Sequence, residues 1–83
     1  MIPLTTRQIE LLRKYSAPFE GVKRQLNKAS KSPRVKVHKI KIDEYYGNLL
    51  LADLVHYSKT IDDDILLEEI DDLYSVIEYG IEE

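Results

Sequence analysis

Residues 60–83 read TIDDDILLEEIDDLYSVIEYGIEE, a stretch with ten Asp and Glu and no Lys or Arg. Wound at 3.6 residues per turn, it gathers Leu66, Leu67, Ile70, Leu73, Tyr74, Ile77 and Ile81 on one face. Asp64, Glu68, Asp71, Asp72, Glu78 and Glu82 fall on the other. The spacing predicts a closing amphipathic helix whose apolar stripe the rest of the chain must cover. Thr60 is the expected N-cap, and Asp62, Asp63 and Asp64 then bring carboxylates to the free amides of the first turn, where the helix dipole favours them. The same Asp cluster, followed by Glu68 and Glu69, invites a Ca²⁺-loop reading that fails on spacing. Counted from Asp62, the position that needs Gly is Leu67 and the position that needs a bidentate Glu is Leu73.

Upstream of that helix, Tyr46, Leu50, Leu54 and Tyr57, joined by Leu51 and Val55, line one face of another. It is expected to take Asp43 as N-cap, to start at Tyr45 or Asn48 and to end at Ser58. A pair such as Gly47-Asn48 between apolar runs also makes hairpin turns, but residues 49–57 lack the period-2 alternation of a strand. Asp53 and His56 stand at i, i+3 on this helix, the spacing of half a dinuclear carboxylate site in a four-helix bundle. The other half is missing, because the remaining histidine is His38, in a basic segment. A surface histidine beside an acid is expected, with no metal and no cofactor. The sequence holds no Ser-His-Asp set, Gly-rich phosphate loop or isolated carboxylate pair, so it offers no support for an enzyme.

Ahead of these helices the period changes. Ser30-Lys31-Ser32-Pro33 is a loop by composition. In Arg34-Val35-Lys36-Val37-His38-Lys39-Ile40-Lys41-Ile42, apolar and basic residues then alternate with one extra polar residue in the middle. A strand with a bulge at His38 or Lys39 would keep Val35, Val37, Ile40 and Ile42 on one face. Its backbone needs a partner strand, expected from a second copy of the chain or from a short segment with no strand signal of its own.

The chain opens with two more helices. Thr5 and Gln8 have the spacing of a capping box, with Leu4 and Ile9 at the positions of a hydrophobic staple. The first helix is expected to begin at Thr6, bury Ile9, Leu12 and Tyr15, and end near Ser16 ahead of Pro18. The next takes Ser16 as N-cap, tolerates Pro18 in its first turn and repeats Phe19, Val22, Leu26 and Ala29 on one face. The expected fold is mainly α, α+β at the margin. It is a small bundle of four helices with one basic β-strand between helices 2 and 3 that pairs within the chain or across a dimer. One domain is expected, with a basic helical hairpin over residues 1–32, the basic strand over 33–43 and an acidic helical pair over 44–83.

Composition narrows the class of protein. A domain of 83 residues buries only about 60 to 65% of its unfolded surface, so self-association or a partner would add useful stability. There is no Cys, which removes disulfides, thiolate metal sites and a cysteine nucleophile. The longest apolar run is Leu49-Leu50-Leu51-Ala52, against the roughly 20 residues of a membrane span, and no apolar leader follows Met1. A soluble, cytoplasmic protein is expected. Charge is sharply polarised: up to Lys41, eleven Lys and Arg face Glu10 and Glu20, for +9, and from Ile42 onward thirteen acids face Lys59 alone, for −12. Such asymmetry suits a nucleic-acid or charged-protein partner, or two halves that attract each other within or between molecules.

The alternating basic strand followed by two helices resembles the ribbon-helix-helix family of DNA-binding dimers, in pattern alone and over residues 34–80. The resemblance implies paired strands from two subunits in the major groove, with outward residues among Lys36, His38, Lys39 and Lys41 reading bases. The chain departs from that pattern at Asp62, Asp63 and Asp64, which stand where the family docks a phosphate, and in the two helices ahead of the ribbon.

Two surfaces are candidates for function. A row of carboxylates at Glu68, Asp71, Asp72 and Glu78 can imitate a phosphate backbone or grip a basic surface, which points to a non-enzymatic regulatory or inhibitory module that binds another protein. Arg34, Lys36, Lys39 and Lys41 form the alternative, a phosphate-contacting strand in a small dimeric DNA-binding regulator, without aromatic neighbours in sequence for base stacking. A purely structural homo-oligomer is the remaining expectation.

Overall fold

Acidic residues and a long apolar stripe make the C-terminal helix the natural platform for everything else. In the computed structural model, which describes residues 1–32 and 34–82, it runs over Asp64–Glu82 as α4. Ile70, Leu73 and Ile77 are buried completely, flanked by the half-buried Leu66, Leu67, Tyr74, Val76 and Ile81. Pro33 of the expected loop, the side chain of Glu82 on the acidic face and the terminal Glu83 lie outside the described residues.

The elements follow the order β1 (Ile2–Thr5), α1 (Thr6–Tyr15), α2 (Glu20–Ser30), β2 (Val37–Ile40), α3 (Glu44–Ser58), α4. Helices account for 68% of the described residues, whose remaining regular part is one small antiparallel sheet, so the fold is a mainly α bundle. α4 packs on α3, on β1 and on α1, while α2 covers α1 and β2. Buried Ile2, Leu4, Ile9, Leu12, Leu26, Leu54, Leu73 and Ile77 belong to one continuous core that draws on every element.

The partner of the basic strand is the chain's own N-terminal segment, with Ile2 opposite Ile40, Pro3 opposite Lys39, Leu4 opposite His38 and Thr5 opposite Val37. Pro3 has no amide for a ladder and fits because a two-stranded sheet leaves an open edge. The expected bulge is not formed. Alternation runs unbroken, so His38 and Ile40 share the core side with Leu4 and Ile2, while Val37 turns outward and is 52% exposed. Val35 is exposed as well, in the turn before the strand. Regular pairing with β1 and burial of Ile40 outweigh the exposure of two valines.

Local signals hold the helix starts. The capping box forms in full, with Thr5 N–H donating to Gln8 Oε1 at 2.9 Å and Gln8 N–H to Thr5 Oγ1 at 3.2 Å. Leu4 and Ile9 of the staple are both buried, and so is Leu11. Ser16 does not cap α2. Its hydroxyl donates to the Leu12 carbonyl at the end of α1, and α2 starts only at Glu20, with Phe19 as N-cap and Pro18 outside the helix. Asp43 caps α3, accepting from Tyr46 N–H at 2.8 Å. Thr60 belongs to the end of α3, its hydroxyl donating to the Tyr57 carbonyl at 2.8 Å. Asp63 caps α4 instead, accepting from Ile65 N–H at 2.9 Å and Leu66 N–H at 3.2 Å.

Gly47 lies inside α3 and is buried, so the Gly-Asn pair makes no hairpin turn. A Cβ there would stand 2.3 Å from Ile81 Cδ1, which shows that glycine is what lets α3 and α4 approach at that crossing. Gly80 plays the same part on the other side of α4, where a Cβ would come within 2.5 Å of Ile2 Cγ1.

Candidate interaction surfaces

The four carboxylates singled out by sequence all reach solvent. Glu68, Asp71, Asp72 and Glu78 are exposed, and among the described residues none has an ion-pair partner. Helical spacing divides them: Asp71 and Glu78 share a stripe with Tyr74 and Ile81, while Glu68 and Asp72 share the next stripe outward. Glu69, one step around the helix toward α1, behaves differently. Its carboxylate accepts from Arg7 Nε at 2.7 Å and Arg7 Nη2 at 3.2 Å. That hydrogen bond holds Glu69 below the ordinary carboxylate value and Arg7 above the ordinary arginine value. Among the described residues this is the one ion pair that joins the basic half to the acidic half, since the other two are the local Arg7–Glu10 and Arg24–Glu20 contacts. The halves therefore meet through hydrocarbon, and their charges are left facing outward.

The basic residues are also unneutralised. Arg34, Lys36, Lys39 and Lys41 are exposed and have no ion-pair partner among the described residues. Lys39 projects from the outer face of the sheet, opposite Pro3, and Arg34 and Lys36 sit in the turn that leads into β2. Lys41 is placed by its backbone: its N–H donates to Gln25 Oε1 at 2.8 Å and its carbonyl accepts from Gln25 Nε2 at 2.9 Å. Gln25 thus imitates a neighbouring strand, a role that no short motif announces. Folding also brings aromatics to this corner. Phe19 and Tyr46 lie with ring centroids 4.1 Å apart beside Lys41, although they are far from it or on the next element in sequence.

Asp53 and His56 have separate duties. The Asp53 carboxylate accepts from Ala17 N–H at 3.1 Å and so ties the α1–α2 connection to α3, while His56 is exposed against the ring of Tyr57. Among the described residues no three His, Asp or Glu side chains converge as metal ligands, and no helix is long and apolar enough to cross a membrane. His38 Nε2 is buried with no hydrogen-bond partner among the described residues, beside the groove between α2 and β2.

A second groove lies between α3 and α4, with a volume of about 520 Å³. Leu51, Val55, Tyr74 and Ile81 line it, and Glu44 and Glu78 stand beside them. Sequence reasoning had the apolar stripe and the acidic face but not this meeting of the two, because it depends on how far apart the helices pack. The chain matches no protein-family model, no curated protein and no solved structure.

Proposed function

We propose that the chain is a non-enzymatic regulatory or inhibitory module that binds another protein through the acidic side of α4. The observation that carries this reading is the contrast within one helix: Glu69 is neutralised by Arg7, whereas Glu68, Asp71, Asp72 and Glu78 have no ion-pair partner among the described residues. Four carboxylates, spread over two adjacent stripes of a rigid 19-residue helix from Glu68 to Glu78, cover about 15 Å of its length, and such a surface steers and holds a basic partner. Reversing Glu68, Asp71, Asp72 and Glu78 to Lys is expected to abolish capture of the partner from native lysate. The helical circular dichroism should stay intact, because none of the four is buried. Unchanged capture by the reversed protein would end this reading.

A second reading, a small DNA-binding regulator, is favoured by the exposure of Arg34, Lys36, Lys39 and Lys41 without acidic partners. It requires capture that nuclease removes and duplex affinity that falls steeply with salt. Nuclease-resistant capture assigns the acidic face to a protein.

A further inference from the structure

Beside the acidic row, the α3–α4 groove offers what charge alone lacks, an apolar seat. Leu51, Val55, Tyr74 and Ile81 line it, and Val55 leaves 43% of its surface in solvent. Glu44 on α3 and Glu78 on α4 border it from either side, and neither has an ion-pair partner among the described residues. Resting on the protein-binding reading above, we propose that this groove receives one amphipathic helix of the partner, with its apolar stripe on Val55 and Tyr74 and Lys or Arg on its flanks.

The shape follows from the hairpin. Gly47 at the start of α3 meets Ile81 near the end of α4, so the two helices run antiparallel and leave a furrow that a third helix can fill by ridge-into-groove packing. α3 has 15 residues and is about 22 Å long, which matches roughly four turns of a docked helix. Charge selects the flanks: from Ile42 onward thirteen acids face Lys59 alone, so the furrow lies in a negative field that draws cations and repels acidic helices. A second copy of this chain supplies no such helix. Its two basic helices, α1 and α2, have three Lys or Arg each and already bury their apolar residues, Ile9, Leu11 and Leu12 in one and Val22, Leu26 and Ala29 in the other, in their own core.

The probe is a fluorescein-labelled synthetic peptide of Leu and Lys, four turns long, with Leu at i, i+3, i+4 and i+7. A scrambled peptide of identical composition is the control, and both are titrated against the full chain by fluorescence anisotropy. The patterned peptide is expected to bind, and the scrambled one to bind at least tenfold more weakly. Ala52→Tyr, which plugs the furrow at an exposed position, and the double variant Glu44→Lys, Glu78→Lys are each expected to weaken the patterned peptide at least tenfold. Equal binding of both peptides, or unchanged binding by either variant, overturns the proposal. So does a concentration-dependent dimer, seen by sedimentation, that Ala52→Tyr disperses while the peptide fails to bind, because the furrow then belongs to a second copy. If the peptide fails but the fourfold charge reversal still abolishes capture from lysate, the helix-in-groove inference falls and the protein-binding reading survives. If both fail, both fall.

Discussion

The α3–α4 hairpin and the basic part built from α1, α2 and β2 reach order by different means. In the hairpin, long apolar stripes do most of the work, and Gly47 lets the two helices close on each other at Ile81. In the basic part the elements are short, and polar groups tie them down. Gln25 clamps the backbone of Lys41, Thr6 Oγ1 donates to the Val35 carbonyl at 3.2 Å, Thr5 and Gln8 cap each other, and Ser16 closes α1. A long helix with a full stripe needs little besides burial. A four-residue strand cannot bury enough and relies on its hydrogen bonds. Where the two regions meet, opposite net charge plays a minor part: Ile2, Leu4 and Leu12 from one side join Leu73 and Ile77 from the other, with the Arg7–Glu69 pair outside that core.

The strongest way to break this comparison is to cut the shared core. Leu73→Ala removes a side chain with 0% exposure and is expected to lower stability by about 3 to 4 kcal/mol. Both regions should unfold in one denaturant transition, followed by circular dichroism and tyrosine fluorescence together. Separate transitions would show that the hairpin and the basic part are independent.

Gln25→Ala tests the polar tie and is expected to have a smaller effect, about 1 to 2 kcal/mol, since it leaves two backbone groups of Lys41 to water. Hydrogen exchange should quicken at the Lys41 amide and leave amides in the middle of α4 protected. Uniform acceleration along the chain would mean that the clamp is part of the global core.

Arg7→Gln should have the least effect, because the pair with Glu69 is largely solvated. Its signature is a pH dependence. Glu69 is depressed below its ordinary value of 4.5 by Arg7, so the pair's contribution is complete above that value and disappears as pH falls through the folded-state value beneath it. Denaturation midpoints of variant and wild type are expected to differ at neutral pH and to converge in acid or at high salt. A gap that persists in acid would assign the effect of Arg7 to packing.

Several features were legible because they are local. The stripe of α4, the Thr5–Gln8 capping box, the Asp43 cap and the helical nature of residues 49–57 each depend on residues within a turn or two of one another. Three other signals misled for a common reason. Ser16, Thr60 and the Lys-Val alternation each allowed two local outcomes: Ser16 and Thr60 turn back to the Leu12 and Tyr57 carbonyls of the helix before them, and only the strand register is set by residues distant in sequence. Val37 faces outward because β1 and the core fix the register through Ile40, and α4 begins after Asp63 because Thr60 is taken up by the end of α3.

From sequence alone came four helices, a basic strand between the second and third, and a chain of two opposite charges, since periodicity and composition are properties of the chain before it folds. Only tertiary structure decided that Ile2, Pro3, Leu4 and Thr5 form the missing strand, that Gly47 and Gly80 admit their neighbours, and that an apolar furrow runs beside the acidic row. Those outcomes depend on distances between elements remote in sequence, and burial of the shared core sets those distances.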